Sequence, residues 1–287
     1  MRYLRPESFQ AAAQALYDEK GLSRILAGGT DVLVQLKSEI VEPDLLVDLK
    51  HLDGMREIIA ENGGYRIGAA VPGAALGEHA GVQALWPGVV EAVELIGSTQ
   101  VQGRATMVGN LCNGSPAADS VPAMIAADAI VRVQGPDGTR DVAVADIPTG
   151  PGKTSLAKGE FVSSVFLPAR PGRASDAYLR FIPRTEMDIA VSSAAVSLAF
   201  DADGNCSAAR VAVGAVAPTV RLVEAAGAAL VGSKLEDAAL AAMTAAVEAA
   251  CSPIDDKRGT IEFRTKTAGV LARRAALIAQ SRAGDRT

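Results

Sequence analysis

The chain is poor in the residues that usually carry out chemistry. Among 287 residues there are only three cysteines, Cys112, Cys206 and Cys251, and two histidines, His51 and His79. The cysteines are widely spaced and no C-x-x-C occurs, so cysteine alone cannot build a zinc site or an iron–sulfur cluster here. Neither histidine sits in H-x-x-x-H or H-x-H, and both are expected to be ordinary surface or core residues. The nucleophile elbow G-x-S-x-G is missing and no cysteine has a nucleophilic context. No catalytic side chain and no metal ligand is therefore assigned. No stretch approaches the roughly 20 apolar residues of a membrane span, and Met1–Pro6 opens no apolar signal segment. The balance of 28 Lys+Arg against 33 Asp+Glu contains no basic block, which argues against nucleic acid as a partner. Few, unpaired thiols suit a reducing compartment, so the expected location is cytoplasmic.

The length allows one large domain or two to three smaller ones, at about 150 residues per domain. Phe9, Ala12, Ala13, Leu16 and Tyr17 recur at helical spacing after a capping Ser8. A short apolar run, Arg24–Ala27, leads into Gly28-Gly29-Thr30-Asp31 and then a second helix, Val32–Lys37. Two adjacent glycines let backbone approach an anion, and Thr30 or Asp31 can cap the helix that follows. The unit lacks the Lys-Ser/Thr of a P-loop and the spacing of a dinucleotide fingerprint. Further strands are expected at Leu45–Leu49, Glu57–Ile59 and Tyr65–Gly68, with Asn62-Gly63-Gly64 as a hairpin turn. Ala74–Ala80 and Gly88–Ile96 read as helices. Ala129–Gln134 and Arg140–Val144 form a second hairpin, Gly150–Gly159 a loop, and Phe161–Leu167 a strand. Pro168–Asp176 reads as a linker. Beyond it come strands Val191–Phe200 and Arg210–Val216, then helices Leu235–Ala250 and Ile261–Gln280. The last helix is expected to pack through Phe263, Val270, Leu271, Leu277 and Ile278.

The organising stretch is Ile96–Asp128. Its centre, Thr106–Asp119, shows neither helical nor strand periodicity and reads as a long loop rich in small and polar residues. Loops of that length inside a domain are usually functional. It runs into a helix, Ser120–Ala127, with Asp119 placed as the cap, an arrangement suited to a phosphate-bearing ligand. Cys112 lies in this loop and is expected to line the site as an inert thiol. Phosphate cradles without a catalytic constellation point to a redox cofactor that does the chemistry itself.

A-G-G-T-D at Ala27–Asp31 with the following V-L-V-Q-L-K resembles the first flavin motif of the FAD-binding (medium) subunits of the molybdenum hydroxylases, the xanthine dehydrogenase and carbon monoxide dehydrogenase family. I-G-S-T-Q-V-Q-G-R-A-T-M-V-G-N-L-C-N-G-S-P-A-A-D resembles the second. R-T-E-M-D-I-A-V-S-S-A-A-V, G-A-V-A-P-T-V-R and P-I-D-D-K-R-G-T-I-E-F-R match further blocks, in the family's order along the whole chain. The resemblance implies an α+β protein: a two-part FAD-binding domain of the vanillyl-alcohol-oxidase type (residues 1–55 and 56–172), then a C-terminal α+β domain (173–287). It implies FAD held by Gly28, Gly29, Thr30 and Asp31 at the pyrophosphate, flanked by Ile25, Ala27 and Val32. Thr106, Gly109 and Asn110 would give a second phosphate and ribityl contact, beside Ile96 and Cys112. Ser115 and Asp119, with Ala117 between them, match positions that meet the cofactor's polar groups. Phe161 and Val162 fall where apolar residues lie near the flavin, and Arg180, with Arg184 as a further candidate, where a basic group nears the ring.

The implied partners are a molybdopterin-containing large subunit and a [2Fe–2S] small subunit, as a dimer of heterotrimers, with electrons leaving FAD for NAD⁺, a quinone or another acceptor. Val108, Ser98 and Gly103 depart from the family's glycine, histidine and asparagine. The extra cysteine-bearing loop of the hydroxybenzoyl-CoA reductase branch is missing. Two readings compete with the electron-transfer subunit: a self-sufficient flavin oxidase of the vanillyl-alcohol-oxidase type, and a nucleotide-binding regulatory subunit without redox turnover.

Overall fold

A computed structural model describes residues 1–284. The chain starts with three short strands and two helices: β1 (Arg2–Leu4), α1 (Phe9–Asp18), β2 (Ser23–Leu26), α2 (Val32–Lys37) and β3 (Leu45–Asp48). The strands form a parallel sheet in the order β1-β3-β2. Its centre, Leu45-Leu46-Val47-Asp48, is buried throughout, as a strand covered on both faces must be. Ser8 caps α1 through Ala11 N–H, and Ala12, Ala13 and Leu16 are its buried stripe.

A second, antiparallel sheet begins with β4 (Ile58–Glu61) and β5 (Gly64–Gly68). Six helices follow: α3 (Gly73–Gly77), α4 (Ala80–Leu85), α5 (Pro87–Glu94), α6 (Thr99–Gln102), α7 (Met107–Cys112) and α8 (Ser120–Ala126). The hairpin β6 (Ile130–Gly135) and β7 (Gly138–Ala143) and the small pair β8 (Pro148–Gly150) and β9 (Lys153–Thr154) lead to β10 (Phe161–Leu167). The apolar β10 takes the middle of the order β4-β5-β10-β6-β7. The single helix expected over Ala74–Ala80 is broken where His79 Nδ1 accepts from Val82 N–H and starts α4. His51 Nε2 donates to the Pro6 carbonyl at 2.7 Å, so both histidines are structural.

The third sheet is β11 (Ala174–Phe181), β12 (Ser192–Phe200), β13 (Cys206–Gly214) and β14 (Arg221–Leu222), all antiparallel in chain order. Helices α9 (Glu224–Ala228), α10 (Asp237–Ala250) and α11 (Ile261–Gly284) complete the chain. Both faces of this sheet are buried, so its side chains alternate between two cores. Tyr178, Ala195 and Ala212 belong to the core shared by the first two sheets. Ala177, Ala194, Val196, Val211 and Val213 belong to the core under α10 and α11. On the first side the sheet meets α8, whose seven residues are all buried.

Two expectations fail here. The linker is shorter than its composition suggested, because Ala174–Asp176 already pair with Ser197–Ala199. The packed face of α11 is mostly alanine: Leu271 and, in part, Ile278 pack as expected, but Phe263, Val270 and Leu277 are exposed, while Ala268, Ala272, Ala275, Ala276 and Ala279 are fully buried. Alanines let the helix axis lie close on the sheet, and a row of leucines would hold it away.

Candidate functional site

The strand β2 ends in the glycine turn, and the turn is tight because of where its two glycines sit. Gly29 has φ +83°, a left-handed conformation that a side chain disfavours. Gly28 lies against the other part of the chain: a Cβ built on it would be 2.1 Å from the Arg104 carbonyl oxygen and 3.3 Å from Ala105 Cα. After the turn, Leu33 and Gln35 N–H donate to Gly29 and Asp31 carbonyls. Among the described residues no acceptor takes the amide protons of Thr30, Asp31 or Val32. Asp31 stands at the cap position of α2 without capping it. Its carboxylate instead accepts from Asn113 Nδ2 at 3.3 Å, and burial raises its pKa above the usual carboxylate value.

The facing wall corrects the sequence reading. Thr106–Asp119 is not an irregular loop, because Met107–Cys112 form α7. Thr106 Oγ1 accepts from Gly109 N–H at 2.9 Å, a proper N-cap. Met107, Val108 and Leu111 are the buried side of this helix. Val108 sits in regular helical backbone, so the departure from the family's glycine costs no left-handed torsion. Asn110 Oδ1 accepts two bonds from Ser120, 3.1 Å from the amide and 2.7 Å from the hydroxyl. Asn110 therefore ties α7 to the start of α8.

Between the walls lies a cleft of about 620 Å³, within the size range of small-ligand sites. It is lined by Ile25, Ala27, Gly28, Gly29, Thr30, Asp31, Val32, Ile96, Thr106, Gly109, Asn110, Cys112, Phe161 and Val162. Phe161 and Val162 are nearly inaccessible and make an apolar floor. Burial pushes the Cys112 thiol up to about 12, so it stays protonated. The lining also includes residues to which the sequence assigned no role: Arg24, Gln35, Asn113, and Lys158 on the segment before β10. Lys158 and Arg24 carried no motif, since lone cations outside a glycine turn look like ordinary surface charge.

Ser115, Ala117, Asp119 and Arg180 stand outside that lining. Ser115 Oγ accepts from Ala117 N–H at 3.2 Å and closes the turn after α7. Asp119 is not a helix cap: it makes no capping bond. Its carboxylate reaches across to the third sheet, where the Tyr178 hydroxyl donates to it at 2.8 Å and Arg180 Nη1 at 2.6 Å. Burial raises the Asp119 pKa to about 6, against the opposing pull of Arg180 and Tyr178. Arg184 is exposed and pairs with Asp188.

A narrow glycine turn, free amides on one wall, a capped helix on the other and an apolar floor fit an extended, phosphate-bearing flavin nucleotide. Comparison with known proteins agrees. Residues 1–170 match the family described as the FAD binding domain in molybdopterin dehydrogenase, and residues 177–279 the CO dehydrogenase flavoprotein C-terminal domain. The chain is 34% identical over 281 residues to the carbon monoxide dehydrogenase medium chain of Afipia carboxidovorans, covering 98% of this chain and 97% of that one. It is 34% identical over 244 residues to a putative xanthine dehydrogenase FAD-binding subunit of Escherichia coli, covering 84% and 83%. Its fold superposes on a chain of reconstituted CO dehydrogenase from Oligotropha carboxidovorans with a TM-score of 0.93, 34% identity and 98% coverage of both chains. The chain belongs to the FAD-binding, medium-subunit family of the molybdenum hydroxylases, and FAD is its cofactor.

Proposed function

We propose that this chain is the electron-transfer flavoprotein of a multi-subunit dehydrogenase. In this reading a molybdopterin-containing large subunit oxidises the substrate and a [2Fe–2S] small subunit relays the electrons. FAD on this chain passes them to NAD⁺, a quinone or another acceptor, within a cytoplasmic dimer of heterotrimers. The observation that supports it most is the match to a carbon monoxide dehydrogenase medium chain over 98% of this chain and 97% of that one.

When bound, FAD supplies the exchange of electrons singly with a metal cluster and in pairs with a hydride acceptor. The chain's own part is binding and shielding. The amides of Thr30, Asp31 and Val32, which line the cleft and have no partners among the described residues, would donate to the pyrophosphate oxygens. Asn113 donates to Asp31 and tempers the charge that this carboxylate would place beside the phosphates. Phe161 and Val162 keep water from the floor, and Cys112, held as a neutral thiol, adds no nucleophile. Ser115, Ala117, Asp119 and Arg180 would complete the site from the rim where α8 meets β11.

The test is co-expression with candidate large and small subunits, followed by anaerobic addition of the substrate of the large one. Bleaching of the flavin absorption band only when the [2Fe–2S] subunit is present is the expected result. Bleaching by substrate with this chain alone would overturn the division of labour and favour a self-sufficient oxidase.

A further inference from the structure

Tyr178 takes no part in the cleft, yet it is bonded to a chain of groups that ends there. The residue is 2% exposed, on β11, and is paired in the sheet with Ala195 of β12. Its hydroxyl donates to Asp119 Oδ1, while Arg180 Nη1 holds Oδ2. Asp119 is followed directly by Ser120, which is fully buried and spends both its amide and its hydroxyl on Asn110 Oδ1. Asn110 lines the cleft. A side-chain amide can turn over by half a revolution, exchanging its acceptor for its donor. Two donors on Oδ1 remove that freedom and leave Nδ2, which has no partner among the described residues, as the group available to a ligand.

We propose that Tyr178 is a positioning residue for the cofactor: from the third sheet it fixes Asp119, and through Ser120 it sets the Asn110 amide with its donor toward bound FAD. The C-terminal domain thereby contributes to cofactor affinity through a side chain that does not touch the cofactor. Geometry favours this over simple structural support. The Tyr178–Asp119 bond bridges 59 residues of sequence and ties the third sheet to the start of α8, and its nearest continuation is a cleft residue. The inference rests on Asn110 lining the FAD site, and the experiment separates failure of that premise from failure of the relay.

FAD is titrated into the deflavinated full-length chain, and its dissociation constant is compared among wild type, Tyr178→Phe, Ser120→Ala, Asn110→Ala and the two double variants that combine Asn110→Ala with Tyr178→Phe or with Ser120→Ala. Losing one buried hydrogen bond in the relay should weaken FAD roughly fivefold in Tyr178→Phe. Ser120→Ala should do the same and serves in its place if Tyr178→Phe does not fold, which a thermal melt without FAD decides. In the Asn110→Ala background neither change should weaken FAD further, because the group being positioned is gone. Wild-type affinity in a folded Tyr178→Phe, or the same loss with and without Asn110, would overturn the relay. A normal dissociation constant for Asn110→Ala alone would instead overturn the premise that Asn110 meets the cofactor.

Discussion

Gly28 and the backbone of Arg104 are in direct contact, and this contact is where the two halves of the FAD cleft meet. A Cβ on Gly28 would overlap the Arg104 carbonyl oxygen at 2.1 Å. The obstacle is backbone, which cannot rotate aside as a side-chain tip can. Gly28→Ala should therefore spread the walls. The expected result is a loss of FAD affinity of at least about tenfold, corresponding to roughly 1.4 kcal/mol of misfit, with far-ultraviolet circular dichroism unchanged. Full flavin content after purification would show that the walls separate at no cost to the site.

The buried alanine face of α11 gives a second expectation. Ala276→Leu forces extra methylenes between helix and sheet and should cost about 1–3 kcal/mol in denaturant unfolding of the isolated chain. Val270→Ala and Leu277→Ala, on the outer side, should each stay within about 0.5 kcal/mol. Equal losses at inner and outer positions would restore the large-residue face as the packed one.

Arg170 and Asp176 form a buried ion pair at 2.8 Å where the second sheet passes into the third. Arg170 also lies 3.9 Å over the Trp86 ring and donates to Ser197 Oγ. Burial raises the Asp176 pKa even with this partner. Arg170→Ala leaves a buried carboxylate without its cation and should cost about 3–5 kcal/mol. Stability of that variant should recover as pH falls, since protonating Asp176 removes the stranded charge. A variant whose deficit is the same at every pH would mean that lost packing on Trp86, not charge, carries the effect.

What the sequence disclosed and what it hid divide along physical lines. The glycine turn was legible because Gly28 and Gly29 are local punctuation: one needs a positive φ, the other a close approach. The helix α7 was not, since six residues make fewer than two turns and Gly109 and Asn110 are weak helix formers. It exists because Thr106 caps it and the core takes Met107, Val108 and Leu111. Asp119 looked like a cap because its neighbours are local; its actual partners, Tyr178 and Arg180, lie on another sheet and no spacing rule connects them. The face of α11 was misjudged because periodicity counts large apolar residues, whereas the sheet's flat surface selects small ones.

Asp119 gives a pH signature that can be worked out with its sign. Its pKa is raised in the folded chain to about 6 by burial, from an ordinary value of 3.8. Below the ordinary value the carboxyl is protonated in both folded and unfolded chains, and its contribution is fully present. As pH rises toward and through about 6 the unfolded chain has already released its proton while the folded one holds it. Stability from this group is lost across that window and then stays level. Asp119→Asn removes the titration, so the difference in stability between wild type and variant isolates it from the other carboxylates. The wild type should lose ground to Asp119→Asn between about pH 4 and pH 7, measured as unfolding free energies of the two chains in the same buffers. A gap that widens in the wild type's favour over that range would mean that Arg180 and Tyr178 outweigh burial and hold the carboxylate below its ordinary value. In that case the pair is a net stabiliser at neutral pH, and breaking it should unfold the rim between α8 and β11 before the sheets themselves.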